Sequence, residues 1–243
     1  MKKIDAHAHV GYFGSWCDVG LSAPEMLAAM ERHDIEKAII SYPDNAVTAT
    51  ALAQSPAHFA ALAWMDPAQG EQAVAIFSSL VQREGFSGLK LHPLFNAYTA
   101  DDAVVFPLVE RAREMNAPIF IHSGHPPFSL PWSIARLAEI HPDARIVMVH
   151  MGHGHGVYIQ AAIDMAAKYD NIWLETSGMP MHTKIKEAYN KVGAERIFWG
   201  SDAPFHHHAV EILRTEVSGL TETHLEKIFY RNIKDFMGWS NPS

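Results

Sequence analysis

Cysteine is nearly missing from this 243-residue chain. Cys17 stands alone, so no disulfide can form within the chain, and neither an oxidising nor a reducing compartment is excluded. Basic clusters are missing too, and a formal net charge of -8 argues against a nucleic-acid footprint. No apolar run approaches the length of a membrane span. The chain opens Met1-Lys2-Lys3-Ile4-Asp5-Ala6-His7 without an apolar signal segment, which points to the cytoplasm. There is no linker, composition shift, short-period repeat or low-complexity tract to mark a second domain, apart from the run His206-His207-His208. What the chain does have is histidine: sixteen of them, many at the ends of apolar runs. Hydrophobic residues at 48% and charged ones at 19% give a globular profile with a sizeable core.

Apolar runs alternate with helical patterns from end to end. Strands are expected at 2–10, 37–41, 58–65, 86–91, 118–121, 145–149, 171–174 and 196–199. Helices are expected at 22–33, 47–54, 70–84, 101–115, 132–140, 157–169, 182–192, 208–217 and 221–237, the first with Ser22 as N-cap. Several strands are near-continuous apolar runs, as expected when both faces are buried. Strict strand-helix alternation forces parallel pairing with right-handed crossovers, and eight such units close into a single-domain α/β fold, the (β/α)8 TIM barrel. A doubly wound open sheet is the rival, but the first strand leads into His-x-His and aromatics instead of a Gly-rich phosphate turn.

The polar residues fall at the carboxyl ends of those strands, the functional face of such a barrel. Strands one, four, five, six and eight finish with His7/His9, Lys90/His92, His122, His150 and Asp202. Alternation along the first strand puts Asp5, His7 and His9 on one face. Two imidazoles from one strand end make half a metal site; zinc, iron, nickel or copper would need further donors from other strands.

At this point the chain resembles the amidohydrolase superfamily, in particular its amidohydrolase-related branch (amidohydrolase 2). The resemblance rests on Asp5-Ala-His-Ala-His9, Gly88-Leu-Lys-Leu-His-Pro93, Ile119-Phe-Ile-His-Ser-Gly124, Val149-His-Met-Gly152, Leu174-Glu-Thr-Ser177 and Gly200-Ser-Asp-Ala-Pro204, in that order over essentially the whole chain. It implies that His7, His9, His122 and Asp202 bind one divalent ion, with zinc expected, and that His150 hydrogen-bonds the metal-bound water or the substrate. Asp202 would then move the proton, and both Asp202 and His150 would be catalytic. Such an ion lowers the pKa of its bound water toward about 7. Lys90 resembles the strand-four lysine that dihydroorotase-like members carboxylate to bridge two ions. In that version His122 and His150 hold a second metal; in the favoured one Lys90 pairs with Asp202 or meets a substrate carboxylate. His92 could touch substrate or support a ligand.

Other candidates carry less weight. Tyr12, Phe13, Trp16, Phe95, Tyr98, Phe128 and Trp132 lie in loops after strands one, four and five and could wall an apolar pocket, although ordinary loop packing suits most of them. His125, His153 and His155 could reach substrate, with helix-start capping the competing role for the last two. His206-His207-His208 lies in the loop after strand eight and is not counted as a metal site. Glu175 and Thr176 could orient a ligand histidine. The leading functional expectation is a metal-dependent hydrolase cleaving an amide, ester or lactone bond of a small molecule. The alternative is nonoxidative decarboxylation of a small unsaturated or aromatic carboxylic acid, as in other members of that branch, and a barrel that only binds a ligand is disfavoured because every ligand position is filled. A homodimer is a further expectation, since the surface helices of such barrels often pair.

Overall fold

The computed structural model describes residues 1–239, the side chains of Ser15 and Trp16 excepted, so Trp16 as a pocket candidate lies outside the described residues. Eight parallel strands follow one another in sheet order: β1 (Lys3–His9), β2 (Ile35–Ser41), β3 (Phe59–Trp64), β4 (Gly88–Leu91), β5 (Ile119–His122), β6 (Ile146–Val149), β7 (Ile172–Glu175) and β8 (Ile197–Phe198). Each is followed by its main helix: α1 (Ala23–Arg32), α2 (Asn45–Gln54), α3 (Glu71–Arg83), α4 (Phe106–Glu114), α5 (Pro131–Ile140), α6 (Gly156–Lys168), α7 (Thr183–Val192) and α8 (His208–Glu216). This is the expected single-domain TIM barrel.

Local chemistry sets the boundaries. Helix α1 begins at a capping box, in which Ser22 Oγ accepts from Glu25 N at 3.4 Å while Ser22 N donates to Glu25 Oε2 at 2.8 Å, satisfying donors the helix cannot. Two residues of strand, Gly11–Tyr12, pair antiparallel with Gly20–Leu21 and tie down the loop after β1. At the other end the chain runs through a helical stretch, Glu222–Glu226 and Asn232–Phe236 flanking a π-helical turn at Lys227–Arg231.

Two apolar layers follow from strand alternation. Inside the barrel lie Ile4, Ala6, Ile39, Leu62, Phe120, Val147, Val149 and Phe198, floored by Ile233 with Phe236 packed against them. Between strands and helices lies the larger layer that includes Ala8, Val10, Ala38 and Ile40.

Strand β1 departs from the expected alternation. Its register with β2 runs Asp5 to Ala38 and then Ala8 to Ile40, three steps against two, which is a β-bulge. Ile4 and Ala6 face the barrel interior below the bulge, so unbroken alternation would send His7 and His9 outward into the helix layer. The inserted residue reverses the parity, and Ala8 and Val10 take the outer face instead. Asp5 consequently does not share a face with the two histidines, which corrects the sequence expectation.

The seam between β8 and β1 also differs from the other seven. Because β8 has only two residues, the barrel closes there through individual bonds: Ala6 N to Trp199 O at 3.0 Å, Asp202 N to His7 O at 2.8 Å and His9 N to Ala203 O at 2.7 Å.

Candidate metal centre

The strand ends surround a cavity of about 210 Å³ lined by His7, His9, Trp64, Lys90, His92, Leu94, His122, His125, His150, His153, Asp202, Phe205 and His206. A roomier groove of about 750 Å³, bordered by α2 residues and Trp239, has Lys37 and Glu84 as its charged lining and brings no donors together. The chemistry therefore sits in the smaller cavity.

Among the described residues, one group of three or more His, Cys, Asp or Glu side chains has ligand atoms close enough for a cation: His7, His9 and Asp202, all within 4.8 Å of one another. Asp202 Oδ1 lies 3.3 Å from His7 Nε2 and 3.2 Å from His9 Nε2. The tautomer of His9 makes this arrangement informative. Its Nδ1 donates to the Ser41 carbonyl at 2.9 Å, so a neutral ring has no proton on Nε2. In that form a bare nitrogen lone pair and a carboxylate oxygen face each other, an arrangement suited to a cation placed between them. Two imidazoles and one carboxylate suit a divalent metal ion.

His122 and His150 share the cavity, but their nitrogens stand outside that triad. His122 Nε2 lies 2.8 Å from His125 Nδ1, and its ring stacks on His92 with centroids 3.9 Å apart. His150 reaches inward because its backbone is left-handed, with φ 66, directly after the inward-facing Val149. Its Nδ1 meets Ser177 O and Ser177 Oγ, both at 3.0 Å, which directs Nε2 away from Ser177. Glu175 fixes that arrangement: its carboxylate accepts from Ser177 N at 2.5 Å, Ser177 Oγ at 2.8 Å and His150 N at 3.2 Å. Glu175 thus orients His150, a histidine outside the three clustered donors. Ser177 carries no sequence signal for such a role, because a serine after a strand end usually serves a turn.

Lys90 is completely buried, with Nζ 3.4 Å from His7 Nε2. His92 Nδ1 accepts from Phe95 N at 3.1 Å, a helix-capping role, and its ring is sandwiched between Trp64 and His122. His153 lines the cavity, His155 caps α6 through a bond from Val157 N at 3.2 Å, and the three consecutive histidines divide. His206 enters the cavity, with Nε2 3.7 Å from Asp202 Oδ2; His207 caps α8; His208 is buried with Nε2 3.6 Å from Asp5 Oδ2.

Most of the expected loop aromatics stay out of the cavity. Tyr12, Phe95 and Trp132 are exposed, Tyr98 is buried elsewhere, and Phe13 packs on His9 from behind with centroids 5.5 Å apart. The aromatic walls are Trp64 and Phe205, which the sequence reading missed. Trp64 was available to it, because it lies two residues beyond the inward Leu62 on β3.

Burial governs the electrostatics. It lowers His150 to about 3 and His153 to about 4, and holds His7, His92 and His122 well below the usual imidazole range, with Lys90 adding repulsion at all but His153. Burial also lowers Lys90 to about 8, against the attraction of Asp202 and Glu175. At Asp202, burial pushes upward, but His150, His7 and His9 together outweigh it and hold the carboxyl well below the usual range. Glu175 rises to about 8 by burial, opposed by its three donors. His7, His92, His122, His150 and His153 are thus neutral imidazoles gathered about an ionised carboxylate.

The family model for amidohydrolases matches residues 4–239. A curated relative, decarboxylase orsB of Emericella nidulans, is 24% identical over 87% of this chain and 84% of its own length. The crystal structure of dihydroxybenzoic acid decarboxylase from Polaromonas sp. JS666, with bound manganese and the inhibitor 2-nitroresorcinol, superimposes with a TM-score of 0.73 at 18% identity, covering 99% of this chain and 98% of that one. A Pseudomonas putida structure provisionally assigned as 2-pyrone-4,6-dicarboxylic acid hydrolase gives a TM-score of 0.76 at 18% identity, covering 99% of both chains. At these identities the structures speak to fold.

Proposed function

This chain belongs to the amidohydrolase family, and from that premise we propose that it is a metal-dependent decarboxylase of a small hydroxylated aromatic carboxylic acid. This reverses the order of the sequence expectation, which put hydrolysis first. The relatives that support the change are the decarboxylase orsB and the dihydroxybenzoic acid decarboxylase, whereas hydrolysis has the provisionally assigned Pseudomonas protein behind it. The observation that carries the reading is the meeting of His7, His9 and Asp202 in a cavity of single-ring size between Trp64 and Phe205.

In this reading His7, His9 and Asp202 would hold the ion, with His122 joining them if it releases His125. When bound, the ion supplies a Lewis acid that binds and polarises the substrate's oxygens. Manganese, present in the structural relative, and zinc, expected from the donor set, are both candidates. The second ion bridged by a carboxylated Lys90 is the less favoured version, since one donor cluster is found among the described residues. Trp64 and Phe205 would clamp the aromatic ring and keep water from it. Lys90, buried and within ion-pair distance of no carboxylate among the described residues, would offer its ammonium to the substrate carboxylate. Asp202 would take the proton of the substrate hydroxyl and deliver it to the ring carbon that bears the carboxylate. The bond to that carboxylate then breaks, carbon dioxide leaves, and its electron pair restores the aromatic phenolate. His150, neutral and with its Nδ1 proton given to the Ser177 carbonyl, would present a bare Nε2 to the cavity, where it would accept a hydrogen bond from the substrate hydroxyl.

The test is turnover of 2,6-dihydroxybenzoate by manganese- or zinc-loaded protein in deuterium oxide. Carbon dioxide release with one deuterium gained on the ring is expected. Failure to decarboxylate hydroxybenzoates, with cleavage of a lactone or ester and uptake of oxygen from labelled water, would sink the proposal.

A further inference from the structure

Asp5 lies on no wall of the cavity, yet it is completely buried and its carboxylate collects bonds from both ligand-bearing strand ends. Oδ1 accepts from His7 N at 3.1 Å and from Ser201 N at 2.9 Å, and Oδ2 accepts from Ser201 Oγ at 2.5 Å. Ser201 Oγ in turn accepts from Ala203 N at 3.0 Å. The backbone on either side of Asp202 is thereby tied to the backbone of His7 through one side chain.

Two features make this attachment consequential. The first is the bulge in β1: the extra residue disturbs the ladder, and Asp5 Oδ1 takes up the His7 amide there. Without that bulge, His7 and His9 would point away from the cavity. The second is the weak seam, where a two-residue β8 meets β1 without a regular ladder and Asp202 itself has a left-handed backbone at φ 54. Asp5 supports both.

We propose that Asp5 is a positioning residue whose carboxylate clasps the β1 bulge to the end of β8, and so aims His7 and His9 at Asp202. The inference rests on the metal-binding reading above and extends it to a residue that touches neither ion nor substrate. Outer partners of metal ligands commonly contribute a factor of about 10–100 to metal affinity.

The experiment measures Mn2+ and Zn2+ affinity by chelator competition for the full-length wild type, Asp5→Asn, Asp5→Ala and Ser201→Ala, with thermal unfolding of each metal-free protein alongside. Asn keeps an oxygen for the two backbone donors but loses the carboxylate, so affinity should fall in the order Asp, Asn, Ala. Asp5→Asn should weaken binding about 10-fold or more. The visible absorption of the Co2+-substituted Asn variant should also change, because the ligand set is displaced. Ser201→Ala, which keeps its backbone donor, should lose less than Asp5→Ala, and if Asp5→Ala does not fold the other two variants decide. Wild-type affinity and an unchanged cobalt spectrum in Asp5→Asn and Ser201→Ala would overturn the clasp, whatever the melting temperatures do. A wild type that holds neither metal would overturn the metal reading and the clasp with it, which separates the two failures.

Discussion

At the residue scale the site depends on close approaches that leave no slack. A Cβ added to Gly200 would sit 2.5 Å from Glu175 Oε1 and 3.0 Å from His7 N. That carboxylate is pinned by Ser177 and the His150 amide, so it cannot move aside cheaply. Gly200→Ala should therefore cost on the order of 1–3 kcal/mol and reduce turnover by displacing His150 and His7 together. Urea unfolding and steady-state kinetics on the same preparation check this, and wild-type behaviour in both would contradict it. Glu175→Gln is gentler: it keeps the shape but presents an amide hydrogen pair where Glu175 now accepts. Turnover should fall at least 10-fold with KM changed little, because the orientation of His150 is affected and the ring clamp is not.

At the element scale, the C-terminal helical stretch acts as the floor of the barrel, remote from the chemistry. Ile233 is completely buried among the interior apolar side chains. Ile233→Ala should destabilise the protein by about 2–5 kcal/mol through lost transfer energy and a residual cavity, while leaving metal affinity within a factor of about 2 of wild type. Denaturant titration and chelator competition measure both quantities. A large loss of metal affinity would mean that the floor reaches the mouth, contrary to the separation of the two layers. Most elements were legible in the sequence because a parallel barrel strand is a continuous apolar run and its helix carries a 3.6-residue stripe. β8 was less so. Residues 196–199 look like an ordinary strand, but only Ile197–Phe198 pair as one, because Trp199 N turns to the Ile228 carbonyl at 3.1 Å. Nothing in the strand's own residues announces a partner as far along the chain as Ile228.

At the scale of the whole molecule, burying so many neutral imidazoles makes stability depend on pH. A histidine held below its unfolded pKa contributes stability that is complete above about pH 6.5 and is lost as pH falls through its folded value. Burial sets that value near 3 for His150 and near 4 for His153 and His208, with His7, His92 and His122 lowered in the same direction. Asp5 and Glu175, raised chiefly by burial to about 7 and 8, work oppositely: their contribution is whole below about pH 4 and is lost as pH climbs past those values. The histidines outnumber them, so metal-free protein should be at least ~1 kcal/mol less stable at pH 5 than at pH 7 by urea titration. A flat profile would refute this. Metal binds the deprotonated donors, so at pH 7 an excess of 1,000 times Kd should stabilise the protein by about 4 kcal/mol, reversibly on chelation. Among the described residues no helix is long and apolar enough to cross a membrane. Pairing of two copies, expected from the surface helices, would appear as a doubled mass in sedimentation.

The order of strands and helices, the histidines and aspartate at the strand ends and the family were all determined by the sequence alone, since periodicity and motif order are properties of the chain. Tertiary structure decided which of those residues meet. A single bulge in β1 turned His7 and His9 to the face opposite Asp5, and the bond from His122 to His125 set it apart from the three clustered donors. The reason is physical: alternation is a local rule, whereas the one-residue shift is a property of the pairing between β1 and β2, and Ser201, which bonds Asp5 beside it, lies nearly two hundred residues further along the chain.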